Sequence, residues 1–165
     1  MIKFEHTVFA LPFALIGALL AARGVPNGLH LLWIVLAMVS ARSAAMTFNR
    51  IVDLKYDIKN PRTRLWALPT GQLKMGFAIL FTIVMSALFV VTAGMLNQLC
   101  LYLSLPVLVT LFGYSYTKRF TSFSHLVLGF AIGLSPLGAW LAIRGEFGLL
   151  PVLLSFRVMF WIAAF

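Results

Sequence analysis

The sequence predicts an all-α protein, a polytopic bundle of transmembrane helices, and three observations carry that reading. Of the 165 residues, 62% are hydrophobic and only 10% charged, far from the balance of a soluble globular domain. The apolar residues gather into runs of about 20, the length at which a helix crosses ~30 Å of hydrocarbon. Alternation with a period of two is missing from these runs, which argues against a membrane β-barrel.

Six spans follow in order along a single domain covering residues 1–165. The first, roughly 4–23, has Lys3 ahead of an apolar core, but more membrane sequence follows it instead of a soluble mature chain, so it is read as a retained helix and not as a signal peptide. GVPNG at 24–28 separates it from the second run at 29–48. A charged stretch precedes the third, 75–95, and Asn97 divides that from the fourth, 98–117. TSFS at 121–124 and RGEFG at 144–148 bound the fifth, 124–143, and the sixth starts at 149. Gly and Pro at these breaks are turn chemistry. Pro12, Pro106 and Pro136 fall inside spans, where neighbouring helices satisfy the freed carbonyls, so kinks are expected rather than breaks. The last run, LLPVLLSFRVMFWIAAF, stops at Phe165 with no polar flank, and the chain is expected to be cut short there.

The formal net charge of +9 does not point to nucleic acid, because the basic residues sit at the ends of apolar runs instead of over one solvated face. With the N-terminus inside, Lys3, Lys118, Arg119 and every Lys and Arg from Arg42 to Lys74 fall on the cytoplasmic side, leaving Arg23 and Arg144 outside. That is the positive-inside asymmetry of an integral membrane protein, here expected in a bacterial inner membrane. Cys100 is a lone apolar-run cysteine, and His6, His30 and His125 are too dispersed for a metal site. Arg157, in mid-span, is expected to face the bundle or a wet cavity, or else to snorkel to the interface.

NRIVDLKYDIKNPRTR at 49–64 concentrates two of the four carboxylates and five of the thirteen Lys and Arg residues. Asn49, Asp53 and Asp57 are spaced i, i+4, i+8, so they share one face if the second helix continues past the membrane surface. Arg42 and Arg50 are expected on different faces. Two carboxylates and an amide oxygen form a hard donor set of the kind Mg²⁺ uses when substrate phosphates complete its shell. Lys55, Lys59, Arg62 and Arg64 supply charge-assisted donors for those phosphates. The competing reading is a solvated loop helix in which Asp53 and Asp57 pair with Arg50 or Lys55. Tyr114 and Lys118, one turn apart in GYSYTKRFT at 113–121, put a phenol and an ammonium at the cytoplasmic end of the fourth span, or serve only as interfacial anchors.

NRIVDLKYD resembles the first aspartate-rich motif, NDxxDxxxD, of the UbiA superfamily of intramembrane aromatic prenyltransferases. The surrounding AAMTFNRIVDLKYDIKNPRTRLWALPTGQL, with FEHTVFALPFALIGALLA and YSYTKRFT, is similar to the bacterial 4-hydroxybenzoate polyprenyltransferase branch and its menaquinone-pathway relatives. The similarity covers the whole chain. It implies a helix bundle of about nine spans, six of them present here, around an apolar tunnel. It also implies a prenyltransferase of quinone biosynthesis with Mg²⁺ as cofactor and a polyprenyl diphosphate and an aromatic acid as substrates. Asn49, Asp53 and Asp57 would hold the metal and diphosphate, with Asp53 and Asp57 catalytic. Tyr114 and Lys118, which match the family's YxxxK pattern, and more weakly Arg62 and Arg64, would assist at the phosphates.

Two departures accompany the resemblance. Arg50 stands where the motif often has Asp, and the family's second DxxxD is not found within the 165 residues, so the chain alone is expected to lack activity. A CDP-alcohol phosphotransferase would show DGxxAR and a longer Asp series. A transporter or noncatalytic bundle would show midplane polar residues or an internal repeat. Neither DGxxAR nor the longer Asp series is found, and apart from Arg157 there are few such midplane residues and no convincing repeat.

Overall fold

The computed structural model describes residues 4–117 and 124–164, with side chains over 11–117 and 125–164. Helix is the only regular secondary structure among them: α1 (Phe4–Ala22), α2 (Gly28–Asp57), α3 (Met75–Leu96), α4 (Gln98–Thr117), α5 (Ser124–Arg144) and α6 (Leu149–Ala163). The expected order holds, as do the breaks at 24–28, Asn97 and 144–148, while most of the TSFS break at 121–124 lies outside the described residues. Helices α2 to α5 are long and apolar enough to cross a membrane. At 15 residues, α6 rises only about 22 Å.

The main departure is α2. The apolar run ends near residue 48, yet the helix continues unbroken through 30 residues, a length of about 45 Å. The charged continuation is rich in residues that tolerate helix, and the helix stops only before Asn60 and Pro61, where the ring of a proline disfavours α geometry in the residue before it. Asn27 starts the helix, its side-chain oxygen accepting from the Leu29 N–H at 3.1 Å. Pro12, Pro106 and Pro136 lie within helices that continue past them. At the close of α1 it is Arg23, not Gly24, that takes the left-handed position, with φ 53°. Gly145, at φ 66°, does the same after α5, its N–H donating to the Leu141 carbonyl at 2.9 Å.

The helices run alternately up and down, so the loop after α2 and the end of α4 share one end of the bundle. Arg23 and Arg144 mark the other, where Arg144 Nε donates to the Ala21 carbonyl at 2.7 Å. Two groupings build the bundle: α2 lies along α3, and α5 lies against both α1 and α6, with α4 joining them.

Small residues set the close approaches. Gly129 and Gly133, one turn apart on α5, meet the backbone of α6: a Cβ on Gly133 would fall 2.7 Å from the Ser155 carbonyl oxygen, and one on Gly129 would strike the Met159 carbonyl. Gly17 on α1 meets Pro136 on α5, where a Cβ would lie 2.5 Å from the carbonyl oxygen. With little hydrophobic drive between helices in lipid, this backbone proximity is what gives van der Waals contact. Ala14, Ala18, Ile34, Ala139 and Ala142 form the buried cluster between α1, α2 and α5.

Asn97, read from sequence as a simple break, also ties three helices. Its Oδ1 accepts from the Cys100 N–H at 2.8 Å, capping α4, while Nδ2 donates to the Leu141 carbonyl on α5 at 2.7 Å. Asn97→Ala removes a cap and a partly buried interhelical bond together. The expected loss is about 1–3 kcal/mol in a reversible detergent unfolding titration, whereas Asn97→Asp keeps the cap and loses only the donor.

Candidate active site

Helices α2 to α5 and the loop after α2 enclose a cavity of about 860 Å³, within the range of sites that hold a small organic ligand. Its body is apolar, lined among others by Phe89, Leu96, Cys100 and Leu134. Its rim, at the end of the bundle where α2 outruns the apolar run, is charged.

Asn49, Asp53 and Asp57 all line this cavity from α2, as the i, i+4, i+8 spacing requires once the helix is continuous. The Asn49 amide nitrogen donates to the Ser115 hydroxyl on α4 at 3.3 Å. Because Ser115 is fully buried, that bond fixes the spacing of the two helices at the rim. Tyr114 lines the cavity from α4.

Residues 58–73 form a compact loop folded back on the helix that precedes it. Thr63, itself buried, donates its hydroxyl to the Asp57 carbonyl at 3.0 Å, and the Asn60 side chain accepts from the Arg62 N–H at 3.0 Å across Pro61. These bonds satisfy the frayed end of α2 and bring Asn60, Arg62, Thr63 and Trp66 to the rim. Trp66 lies over Arg50, with the guanidinium carbon 3.8 Å from the ring centroid, a cation–π contact. One terminal nitrogen of Arg50 is buried, with no hydrogen-bond partner among the described residues.

Two carboxylates and one amide suit a hard cation that draws its other ligands from water and phosphate. Among the described residues no group of three or more His, Cys, Asp or Glu could hold a metal ion. A divalent ion here therefore depends on the oxygens of a bound diphosphate, and the residues present fit it on those terms.

The model of the UbiA prenyltransferase family matches residues 10–165. The chain belongs to the UbiA prenyltransferase family. A 4-hydroxybenzoate octaprenyltransferase of Methylobacillus flagellatus is 34% identical over 90% of this chain and 50% of its own length. A protoheme IX farnesyltransferase of Marinobacter nauticus is 35% identical over 90% and 50%. The solved structure of a UbiA homolog from Aeropyrum pernix K1 superposes with a TM-score of 0.87 at 33% identity, covering 99% of this chain and 62% of that one. The chain thus spans about half the length of the curated relatives it matches.

Within the UbiA fold the residues singled out from sequence separate into three groups. Asn49, Asp53, Asp57, Arg62 and Tyr114 meet at the cavity. Arg64, Lys55 and Lys59 are exposed and do not line it. Lys118 lies outside the described residues. Arg157 is exposed on α6 and is not part of the cavity wall, so it does not face this cavity.

Arg42 and Arg50 were expected on different faces, yet both line the one cavity. Eight residues place them about 80° apart around the axis, and the cavity wraps far enough round α2 to include both. Arg42 and Trp66 are the residues that sequence reasoning passed over. A lone arginine inside a run of apolar residues was the available signal for the first. Nothing in the sequence marked the second.

Proposed function

We propose that this chain forms the donor-binding half of a prenyltransferase that moves a polyprenyl group from its diphosphate to an aromatic acid, in the biosynthesis of a quinone. The observation that carries the reading is the join of an acidic and cationic rim to an apolar cavity, since a polyprenyl diphosphate is itself a doubly charged head on an oily chain. Relatives named as 4-hydroxybenzoate octaprenyltransferases support the aromatic acid.

In this reading Asp53, Asp57 and the Asn49 amide hold Mg²⁺ through their oxygens. When bound, Mg²⁺ neutralises charge on the departing diphosphate. Arg62 supplies further donors at the rim, and the Tyr114 phenol donates to a phosphate oxygen. The carbon–oxygen bond of the allylic diphosphate breaks, its electron pair leaving with the diphosphate. An electron-rich ring carbon of the acceptor attacks the allyl cation, and loss of the ring proton restores aromaticity. The apolar body keeps water from the cation. The rim faces the cytoplasm in this reading, as the clustering of basic residues there supports.

Calorimetric titration of the protein in detergent with geranyl diphosphate tests the donor site. Binding is expected to tighten at least about tenfold when Mg²⁺ replaces EDTA, the gain of one charge-assisted bridge. Equal affinity in EDTA overturns the metal-bridged donor site.

A further inference from the structure

We infer that Trp66 and Arg50 are positioning residues for donor binding: the indole clamps the loop of residues 58–73 onto α2 through the guanidinium, and so holds Arg62 at the rim where a diphosphate is met. The inference rests on the prenyl-transfer reading above and assigns a role to two residues that the reading leaves without one.

Residues 58–73 are shaped from within. The Trp66 N–H donates to the Thr63 carbonyl at 2.9 Å, the Thr70 N–H to the Trp66 carbonyl at 3.0 Å and the Leu73 N–H to the Ala67 carbonyl at 2.9 Å. The bonds that leave the loop end on the last turn of α2, where the Ile58 N–H meets the Leu54 carbonyl and the Thr63 hydroxyl the Asp57 carbonyl. The ring of Trp66 reaches further. Arg50 stands seven residues before Asp57, two turns or about 10 Å down the helix, and its guanidinium carbon is 3.8 Å from the ring centroid. That contact carries the loop past the helix end and onto the body of α2. Leu68, two residues on, is buried as well, so the loop keeps some apolar anchorage without the ring and loss of the clamp has a graded effect.

A guanidinium lying flat on an aromatic face is drawn to the ring quadrupole, and the attraction grows as water is removed from the site. Arg50 is in that condition, since one of its terminal nitrogens is buried with no hydrogen-bond partner among the described residues. Arg62 differs from it in every respect that matters here. It is exposed, and it reaches the cavity wall only by way of the loop, through the turn in which the Asn60 side chain accepts from its N–H at 3.0 Å. When the loop lifts, Arg62 leaves with it. A ligand that needs Arg62 in place binds more weakly in proportion to the time the loop spends away. Trp66 and Arg50 therefore strengthen donor binding by raising the population of the docked loop, with the indole itself making no bond to the diphosphate.

Two measurements on the protein in detergent test this: the rate at which trypsin nicks the loop after the exposed Arg64, which follows the lifted population, and calorimetric titration with geranyl diphosphate in Mg²⁺. Trp66→Leu keeps apolar bulk and removes the π face. It is expected to speed nicking and weaken donor binding by about five- to thirtyfold, the worth of a desolvated cation–π contact, while Trp66→Phe keeps part of both. Arg50→Met is expected to match Trp66→Leu, and the double variant to be no worse than either, because one contact is lost only once. In an Arg62→Gln background, Trp66→Leu is expected to change donor binding by less than about twofold, the mark of a clamp that acts through Arg62. Unchanged nicking in Trp66→Leu overturns the inference. So do additive losses of donor binding in the double variant, which would make Arg50 a diphosphate ligand, and so does a full effect of Trp66→Leu in the Arg62→Gln background. Size-exclusion profiles recognise a leucine variant that has failed to fold. Trp66→Phe then carries the comparison: intermediate nicking supports the clamp and nicking at the wild-type rate overturns it. If wild type shows no Mg²⁺-dependent donor binding, the transfer reading falls and the nicking comparison decides the clamp by itself.

Discussion

Replacing Asp53 and Asp57 together by Asn is expected to remove the Mg²⁺-dependent part of geranyl diphosphate binding, a loss of about 100-fold or more. Each carboxylate-to-metal link is a charged interaction worth roughly 1.5–3 kcal/mol, and both are lost at once. The substitution keeps side-chain shape. It also removes two like charges one turn apart on α2, a pairing that is itself unfavourable by a few tenths of a kcal/mol. Unfolding in detergent should therefore be unchanged or slightly improved, which separates a ligand role from a structural one. Tyr114→Phe, which deletes a single neutral donor, should cost tenfold or less by the same scale. If the double variant still binds the donor in Mg²⁺ as wild type does, these carboxylates are surface charges and the solvated-helix reading of the stretch is correct.

The second large effect concerns the α5–α6 contact. Gly133→Leu has no space: the first side-chain carbon alone would sit 2.7 Å from the Ser155 carbonyl oxygen, and a backbone carbonyl cannot swing aside as a side chain does. The helices must separate along their length, which is expected to destabilise the protein by about 3 kcal/mol or more, beyond ordinary overpacking. Gly76→Ala on α3, where nothing lies within 4 Å, is the control. It should be neutral or gain up to about 1 kcal/mol from helix propensity. Unfolding midpoints and size-exclusion profiles of the two variants in one detergent check the pair; equal midpoints would mean that the α5–α6 approach is not needed for the fold.

Most helix ends among the described residues were legible because local chemistry there stops a helix. Gly145, with its left-handed φ, and Asn97, with its capping oxygen, act where they were read to act. The end of α2 was not legible in the same way, since hydropathy marks where the membrane-like sequence ends and not where the backbone hydrogen bonds do. The rim was legible as a spacing: Asn49, Asp53 and Asp57 needed only a continuous helix to converge. What could not be read is what depends on a second element. The Trp66 ring reaches Arg50 only because residues 58–73 fold back, and Gly129 and Gly133 matter only because Ser155 and Met159 lie opposite. Arg42 was counted as one more positive flank because charge tallies record a residue's sign and ignore its depth.

The uninterrupted course of α2 has a consequence for the geometry of the cavity. The deep arginine and the acidic rim are carried on one stiff rod, so the distance between them is a fixed gauge that no hinge can lengthen. A ligand that reaches from the rim to the interior meets side chains at set heights along that rod. Any fit to its shape falls to side-chain rotamers and to the facing walls of α4 and α5.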